Sequence, residues 1–231
     1  MWNGKKKAIT FSFDDGVLQD IRCVEILNKY GLKATFNLNS GTLGTQDSYE
    51  ENGRRICRDK VRASAVKTVY AGHEVAVHTL THPNLTQLDD ETVIRQVSVD
   101  RRLLEELCGY SIIGMAYPCG GVNNDERVAA LIRDNTPIRY SRTITSTYSF
   151  ELQKDHLLQF HSTLHFLDAR LQETVDRFLA LETDEPQLLY IWGHTYELDK
   201  DDFLWENFEK LCQKLANRAD IFYGTNKEVL L

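Results

Sequence analysis

The sequence predicts an α/β fold in which parallel strands alternate with helical crossovers, closed into a distorted (β/α) barrel of seven or eight strands. Three observations predict it. Strand-period and helix-period segments take turns along the chain. No internal repeat, low-complexity tract or Pro/Gly-rich linker interrupts them, and only four prolines are present. The residues able to carry chemistry fall at strand ends, where barrels and open α/β sheets both place their sites. A doubly wound open sheet is the other architecture that fits. The 231 residues read as a single domain, 1–231.

Residues 7–13 alternate Ile9, Phe11 and Phe13 with Thr10 and Ser12, the two-residue period of a strand. Residues 17–30 follow as a helix stopped by Gly31, and 33–40 as a strand. A polar loop leads to a helix expected over about 58–71, then a short strand at 73–78. The longest helical pattern starts at an Asp89 or Asp90 cap and ends at Gly109. Strands are expected at 111–117 and 138–144, around a helix at 123–134. Residues 161–166 read as a further strand and 168–182 as a helix. The apolar run 187–194 is a buried strand, followed by a helix over 201–218. Residues 221–224 close the strand series, with Thr225 placed to cap a last turn.

A hydrophobic share of 42% and a charged share of 26% suit a globular chain with a full core. The formal net charge is −7, and no basic cluster exists beyond Lys5–Lys7. That balance argues against a nucleic-acid or anionic-membrane face. No apolar run reaches the length of about 18 residues that a membrane span needs. The first ten residues lack the apolar core of a signal peptide. Five cysteines, an odd number without a C-x-x-C pair, read as free thiols. The expected compartment is therefore the cytoplasm. Nothing in the sequence sets the oligomeric state.

Four segments carry chemistry. "FSFDDG" ends a strand in two adjacent acids, Asp14 and Asp15, before Gly16. At a strand end the alternation of faces lapses, so both can reach one mouth. "VAVHTLTHPNL" puts His78 and His82 four apart, the spacing of neighbours on one helical turn. "MAYPCGG" and "LLYIWGH" end two more strands, the second in His194. Two histidines and one carboxylate with an open position describe a catalytic zinc site. One acid and one histidine are left over. Hydrolysis needs that surplus, a base for the attacking water and an acid for the leaving group.

In this order and at these intervals, "SFDDG", "HTLTHP", "AYPCG" and "WGH" resemble the motif series of polysaccharide deacetylases, the NodB homology group or carbohydrate esterase family 4. The resemblance runs from about residue 8 to 195. It implies a NodB-type distorted barrel and one divalent metal ion, usually zinc and sometimes cobalt. It implies hydrolysis of an N-acetyl or O-acetyl group from a sugar. Carried over position by position, Asp15, His78 and His82 ligate the metal. Asp14 becomes the general base and His194 the general acid. The backbone N–H of Cys119 becomes an oxyanion donor, while its thiol is a bystander. Tyr117 and Tyr196 are expected to touch substrate.

Two departures stand out. Many members begin the third motif with an arginine that holds the base, and Ala116 occupies that place here. Arg142, on the next strand, is a candidate to supply the guanidinium instead. The usual aspartate that orients the acid is not evident, and Glu197 or Asp199 are candidates to replace it. The expected substrate is an acetylated carbohydrate, a sugar conjugate or a small amide. Two other readings remain: hydrolysis of a C–N bond in a small non-sugar amide or imide, and a glycan-binding relative without turnover.

Overall fold

The protein is described from a computed structural model covering residues 1–231. Its strands are β1 Lys7–Asp14, β2 Ala34–Leu38, β3 Ser48–Glu51, β4 Arg54–Cys57, β5 Glu74–Val77, β6 Gly114–Ala116, β7 Tyr140–Ser146, β8 Phe160–Ser162, β9 Leu164–His165, β10 Gln187–Gly193 and β11 Ile221–Tyr223. The helices are α1 Asp20–Lys29, α2 Val66–Val69, α3 Asp90–Cys108, α4 Glu126–Asn135, α5 Leu171–Ala180, α6 Leu204–Leu215 and α7 Asn226–Leu230. The main sheet runs in the order β8-β7-β6-β5-β2-β1-β10-β9, all pairs parallel.

The two ends of that order are neighbours in the chain, and this closes the barrel. β8 and β9 are separated only by Thr163. The first half of the segment bonds to β7, where Thr147 and Tyr148 N–H donate to Ser162 and Thr163 O at 3.0 Å each. The second half bonds to β10, where Thr163 and Phe166 N–H donate to Tyr190 and Trp192 O at 3.0 and 2.8 Å. One short stretch therefore serves as the seventh stave. β11 adds to the start of β1, beside Lys7–Ile9, on the edge that β2 occupies further along.

All eight residues of β1 are buried, yet its two faces differ. Ile9, Phe11 and Phe13 face the helices and join the main apolar cluster with Leu27 of α1 and Phe208 of α6. Thr10, Ser12 and Asp14 face the lumen, which is polar at its centre. Thr10 Oγ1 donates to Asn226 Oδ1 at 2.9 Å, and Asn226 Nδ2 to Ser12 Oγ at 3.2 Å. Asn37 Nδ2 reaches both Ser12 Oγ at 2.9 Å and Asp14 Oδ1 at 2.8 Å. Lower down, Glu74 accepts from Thr35 and Tyr140 hydroxyls at 2.8 Å each and from Lys227 N–H at 2.9 Å. Buried polar groups are costly unless paired, and this column pairs most of its own, with Asn37 Oδ1 left without a partner. A smaller apolar cluster of Trp2, Ala8, Leu188, Tyr190 and Val229 lies at the same base.

Local chemistry explains most boundaries. Asp89 accepts from Thr92 N–H at 2.8 Å to start α3, and Gly109 ends it at φ 81°. Thr225 and Glu228 form a capping box on α7. The helix expected over 58–71 is corrected to α2 alone, preceded by a single 3-10 turn at 63–65. Residues 58–61 stay extended because their amides are taken elsewhere: Lys60 N–H donates to Thr45 O at 2.9 Å and Val61 N–H to Gly16 O at 2.8 Å. The polar loop before them contains the hairpin β3–β4, turning at Asn52-Gly53 with φ of 52° and 76°.

Candidate active site

The carboxyl ends of β1, β5, β6 and β10 deliver the site. β1 ends at Asp14, and Asp15 follows with φ 81°, then Gly16 with φ 63°. A left-handed pair at that point breaks the strand's alternation, so both carboxylates turn to the mouth. Leu38 Cδ2 would lie 2.7 Å from a Cβ at Gly16, so glycine is required twice over. Thr79 and His82 after β5, and Cys119 after β6, are also left-handed, at φ 70°, 63° and 69°. Non-glycine residues rarely adopt that region, and they gather here.

Asp15 Oδ1 lies 3.4 Å from His82 Nε2 and 3.9 Å from His78 Nε2. The three ligand atoms all fall within 4.8 Å of one another. The two histidines do not share a helical turn, as their spacing had suggested, since residues 78–84 form a non-helical loop. Two groups hold that loop. Asn39 Nδ2 donates to the carbonyls of His78 and Thr79, and Asp100 of α3 accepts from His78 N–H at 3.2 Å and Ser40 N–H at 2.6 Å. His78 Nδ1 donates to Ala116 O at 2.9 Å, which fixes the tautomer and leaves Nε2 bare toward Asp15. Burial, only partly offset by Asp14 and Asp15, pushes His78 down to about 4, so its ring is neutral at pH 7. A neutral imidazole pair and a carboxylate fit a divalent ion such as zinc.

Asp14 is the second acid, 2% exposed. Burial alone would raise its pKa, but the Arg142 guanidinium beside it, helped by His78 and His194, holds it below the usual carboxylate range. Arg142 is fully buried and pairs directly with Asp14 Oδ2 through Nη2. Its guanidinium carbon stands 4.3 Å over the Trp192 ring. The vacancy at Ala116 is therefore filled from β7, one strand along the sheet. Asn37 takes the other oxygen of Asp14.

His194 follows β10 with Nε2 4.0 Å from Asp14 Oδ2. Its Nδ1 faces Glu197 Oε2 at 3.4 Å, and its N–H donates to the same oxygen at 3.2 Å. Burial lowers His194, but the Glu197 hydrogen bond together with Asp15 and Asp14 raises it above its ordinary value. Asp199 is not involved, since it accepts from Gln19 Nε2 and Trp205 Nε1 at 2.7 Å each.

Cys119 packs on the loop 78–84, its thiol donating to His82 O at 3.4 Å. Burial raises that thiol, which favours its protonated, less nucleophilic form. Its backbone N–H has no partner within the protein. Tyr196 flanks the mouth, 5.1 Å from the His194 ring and 6.2 Å from Tyr49, with Arg58 against both tyrosines. Tyr117 is a correction. It is 1% exposed, its hydroxyl donates to Leu158 O at 2.8 Å, and its side chain has nothing left for a substrate.

Sequence reasoning missed Lys60 and His165. Lys60 Nζ lies 3.7 Å from Asp15 Oδ1 and is the main cause holding that carboxyl low against burial. Its place in an expected helix hid it. His165 Nε2 sits 3.0 Å from Glu197 Oε2, and only the pairing of β9 with β10 brings it there.

A sequence model described as polysaccharide deacetylase matches residues 2–134. The peptidoglycan-N-acetylmuramic acid deacetylase PdaC of Bacillus subtilis (strain 168) is 27% identical over 124 residues, 53% of this chain and 23% of that protein. The match thus spans about a quarter of the curated relative's length. The Streptococcus pyogenes deacetylase PplD, solved with acetate, superposes with a TM-score of 0.57 at 19% identity, over 74% of this chain and 69% of that one. BA3943 of Bacillus anthracis, described as a CE4 family pseudoenzyme, gives a TM-score of 0.57 at 19% identity, over 100% of this chain and 67% of that one. At such identities the structural likeness speaks for the fold.

Proposed function

The chain belongs to the polysaccharide deacetylase family, and from that premise we propose that it is a metal-dependent hydrolase removing an acetyl group, foremost an N-acetyl, from a sugar, oligosaccharide or sugar conjugate. One observation carries the reading. A three-ligand cluster, an ionised spare aspartate and an imidazole share one mouth at the strand ends. Asp15, His78 and His82 would hold the ion, zinc or cobalt. Such an ion supplies Lewis acidity at the acyl oxygen and makes water a stronger acid near neutral pH.

The chain's own residues supply the rest. Asp14, kept ionised by Arg142, accepts the proton of the attacking water. The Cys119 N–H, unspent within the protein, donates to the oxyanion that develops on the acetyl carbonyl, a contact typically worth about 2.7–4 kcal/mol. His194, whose pKa the neighbouring carboxylates raise, gives its Nε2 proton to the departing amine when it is in the protonated form. Tyr196 offers a face to the sugar ring. The glycan-binding reading was motivated by the missing third-motif arginine, and Arg142 removes that motive.

Acetate release from a panel of N- and O-acetylated sugars tests the proposal. Chelation is expected to abolish release, and zinc or cobalt to restore it. Asp14→Asn is expected to keep the ion and lose turnover by about 10²–10⁴-fold. Activity in metal-free protein overturns the mechanism. Ring opening of a cyclic imide without acetate release would favour the C–N hydrolase reading instead.

A further inference from the structure

We propose that Lys60 is an anion-binding residue in the wall of the mouth, so that the preferred substrate is an N-acetylated sugar carrying a negatively charged substituent. The inference rests on the deacetylase reading and narrows its substrate class.

The backbone at Lys60 is pinned to the turn after β1. Lys60 forms an antiparallel bridge with Val17, while Leu18 N–H donates to Asp59 O and Val61 N–H to Gly16 O, each at 2.8 Å. Lys60 N–H itself donates to Thr45 O at 2.9 Å. A segment held in this way aims its side chain at a fixed place. That place is the ligand trio, where Lys60 Nζ lies 3.7 Å from Asp15 Oδ1. The side chain is 12% exposed, and its ammonium donates no hydrogen bond within the protein. The nitrogen still touches solvent.

A divalent ion on Asp15, His78 and His82 changes the balance around this ammonium. Asp15 brings one negative charge and the imidazoles none, so the ion is only partly neutralised and nothing of Asp15 is left for Lys60. Asp14 is no substitute, since Arg142 and Asn37 take its two oxygens. Asp20 also feels the ammonium, but its oxygens accept from the Thr195 and Tyr70 hydroxyls at 2.5 and 2.7 Å. Burial pushes its carboxyl up to about 7, which leaves it much of the time uncharged. A poorly hydrated ammonium without an anion is costly. Its unused N–H donors, in a mouth of positive charge, suit a carboxylate, phosphate or sulfate carried by the substrate.

The next cation along the segment has the same polarity. Residues 58–61 are extended, so Arg58 and Lys60, two apart, share a face. The Arg58 guanidinium carbon stands 5.0 Å from the Tyr49 ring and 5.7 Å from the Tyr196 ring, and Tyr196 lies 5.1 Å from the His194 ring. Asp47 holds Arg58 Nη2 at 2.5 Å, while Nε is sealed from solvent and unpartnered. Aromatic faces for a sugar ring and a free ammonium for its acid group therefore occupy neighbouring parts of one wall.

Calorimetric titration of the zinc-saturated protein with 2-methylsulfonamido-2-deoxyglucose, an analogue with no carbonyl to attack, reads binding without turnover. Its 6-phosphate, its 6-sulfate, its uronate and its 3-O-carboxymethyl ether present the acid in four forms. At least one of these is expected to bind about 10–100-fold more tightly than the neutral parent, and the one that does identifies the acid group. Lys60→Met and Lys60→Gln are expected to bring that ratio within about threefold of unity, and Lys60→Arg to keep it. Zinc is held at saturation throughout, because Lys60→Met also alters the hold on the ion. The matching N-acetyl sugars are expected to show the same preference in kcat/KM for acetate release. A wild type that binds all four acids no better than the neutral parent overturns the inference. So does a preference that survives both Lys60→Met and Lys60→Gln, or inorganic phosphate binding as tightly as the best acid. Acetate release from neutral sugars without any acid preference sinks this inference and leaves the hydrolase reading standing. A Lys60-dependent preference with no acetate release from any matching sugar sinks the hydrolase reading and leaves the anion site standing.

Discussion

Asp14 and Arg142 form the buried charge pair on which the site turns. Both are nearly sealed from solvent, so neither charge is affordable without the other. Removing the guanidinium leaves a buried carboxylate with one hydrogen bond from Asn37 and two imidazoles, His78 and His194, nearby. Arg142→Met is expected to cost about 3–5 kcal/mol in urea unfolding and to abolish acetate release. Lys60 acts in the opposite sense. Its ammonium faces the same oxygen of Asp15 that faces both imidazoles, and so repels any cation arriving there. Lys60→Met is expected to tighten zinc binding in competition with a chelator, and weaker binding would refute that role. At this scale the side chains that converge on the mouth, Asp14, Asp15, His78, His82 and His194, were legible as sequence motifs. Arg142 was legible only as a candidate, because its use depends on the register of β7 against β6. His165 was illegible, because nothing local marks a histidine that acts across two strands.

Elements were legible where local signals agree with tertiary demand. The apolar run of β10 and the capped span of α3 were read correctly. The stretch 58–71 was not, because its amides bond to the Gly16 turn and to Thr45, a tertiary claim that helical spacing cannot reveal. The hairpin β3–β4 carried an Asn-Gly signal, but its polar flanks disguised the strands. β6 shows how tightly one element constrains another. A Cβ on Gly114 would stand 2.0 Å from Tyr140 Oη, the hydroxyl that serves Glu74. Gly114→Ala is expected to destabilise by about 1–3 kcal/mol by forcing that ring aside. An unchanged urea midpoint would show that the ring moves freely.

At the scale of the whole molecule, one pH dependence traces to a single buried histidine. His73 is buried between β2 and α1, its Nδ1 accepting from Ala34 N–H at 3.1 Å and its Nε2 3.2 Å from Asn28 Oδ1. Burial, with some help from Lys33, pushes it down to about 4 from an ordinary 6.5. The unfolded imidazole takes a proton below pH 6.5, while the folded one stays neutral to about 4. The His73 share of stability is therefore untouched above 6.5 and falls between 6.5 and 4, by at most about 1.4 kcal/mol per pH unit. Urea unfolding of wild type and His73→Gln across that interval isolates this share. A parallel pair of pH profiles would refute it.

The polar column through the lumen has one more consequence. Asn226 touches Thr10 and Ser12, Ser12 touches Asn37, and Asn37 touches Asp14. Trp2 bolts the final helix in place by donating from Nε1 to Val229 O at 3.2 Å. Trp2 and α7 thus act as a stopper in the floor of the barrel. Removing Trp2 or α7 is expected to let water reach Asp14 from below, and acetate release is expected to fall before solubility does.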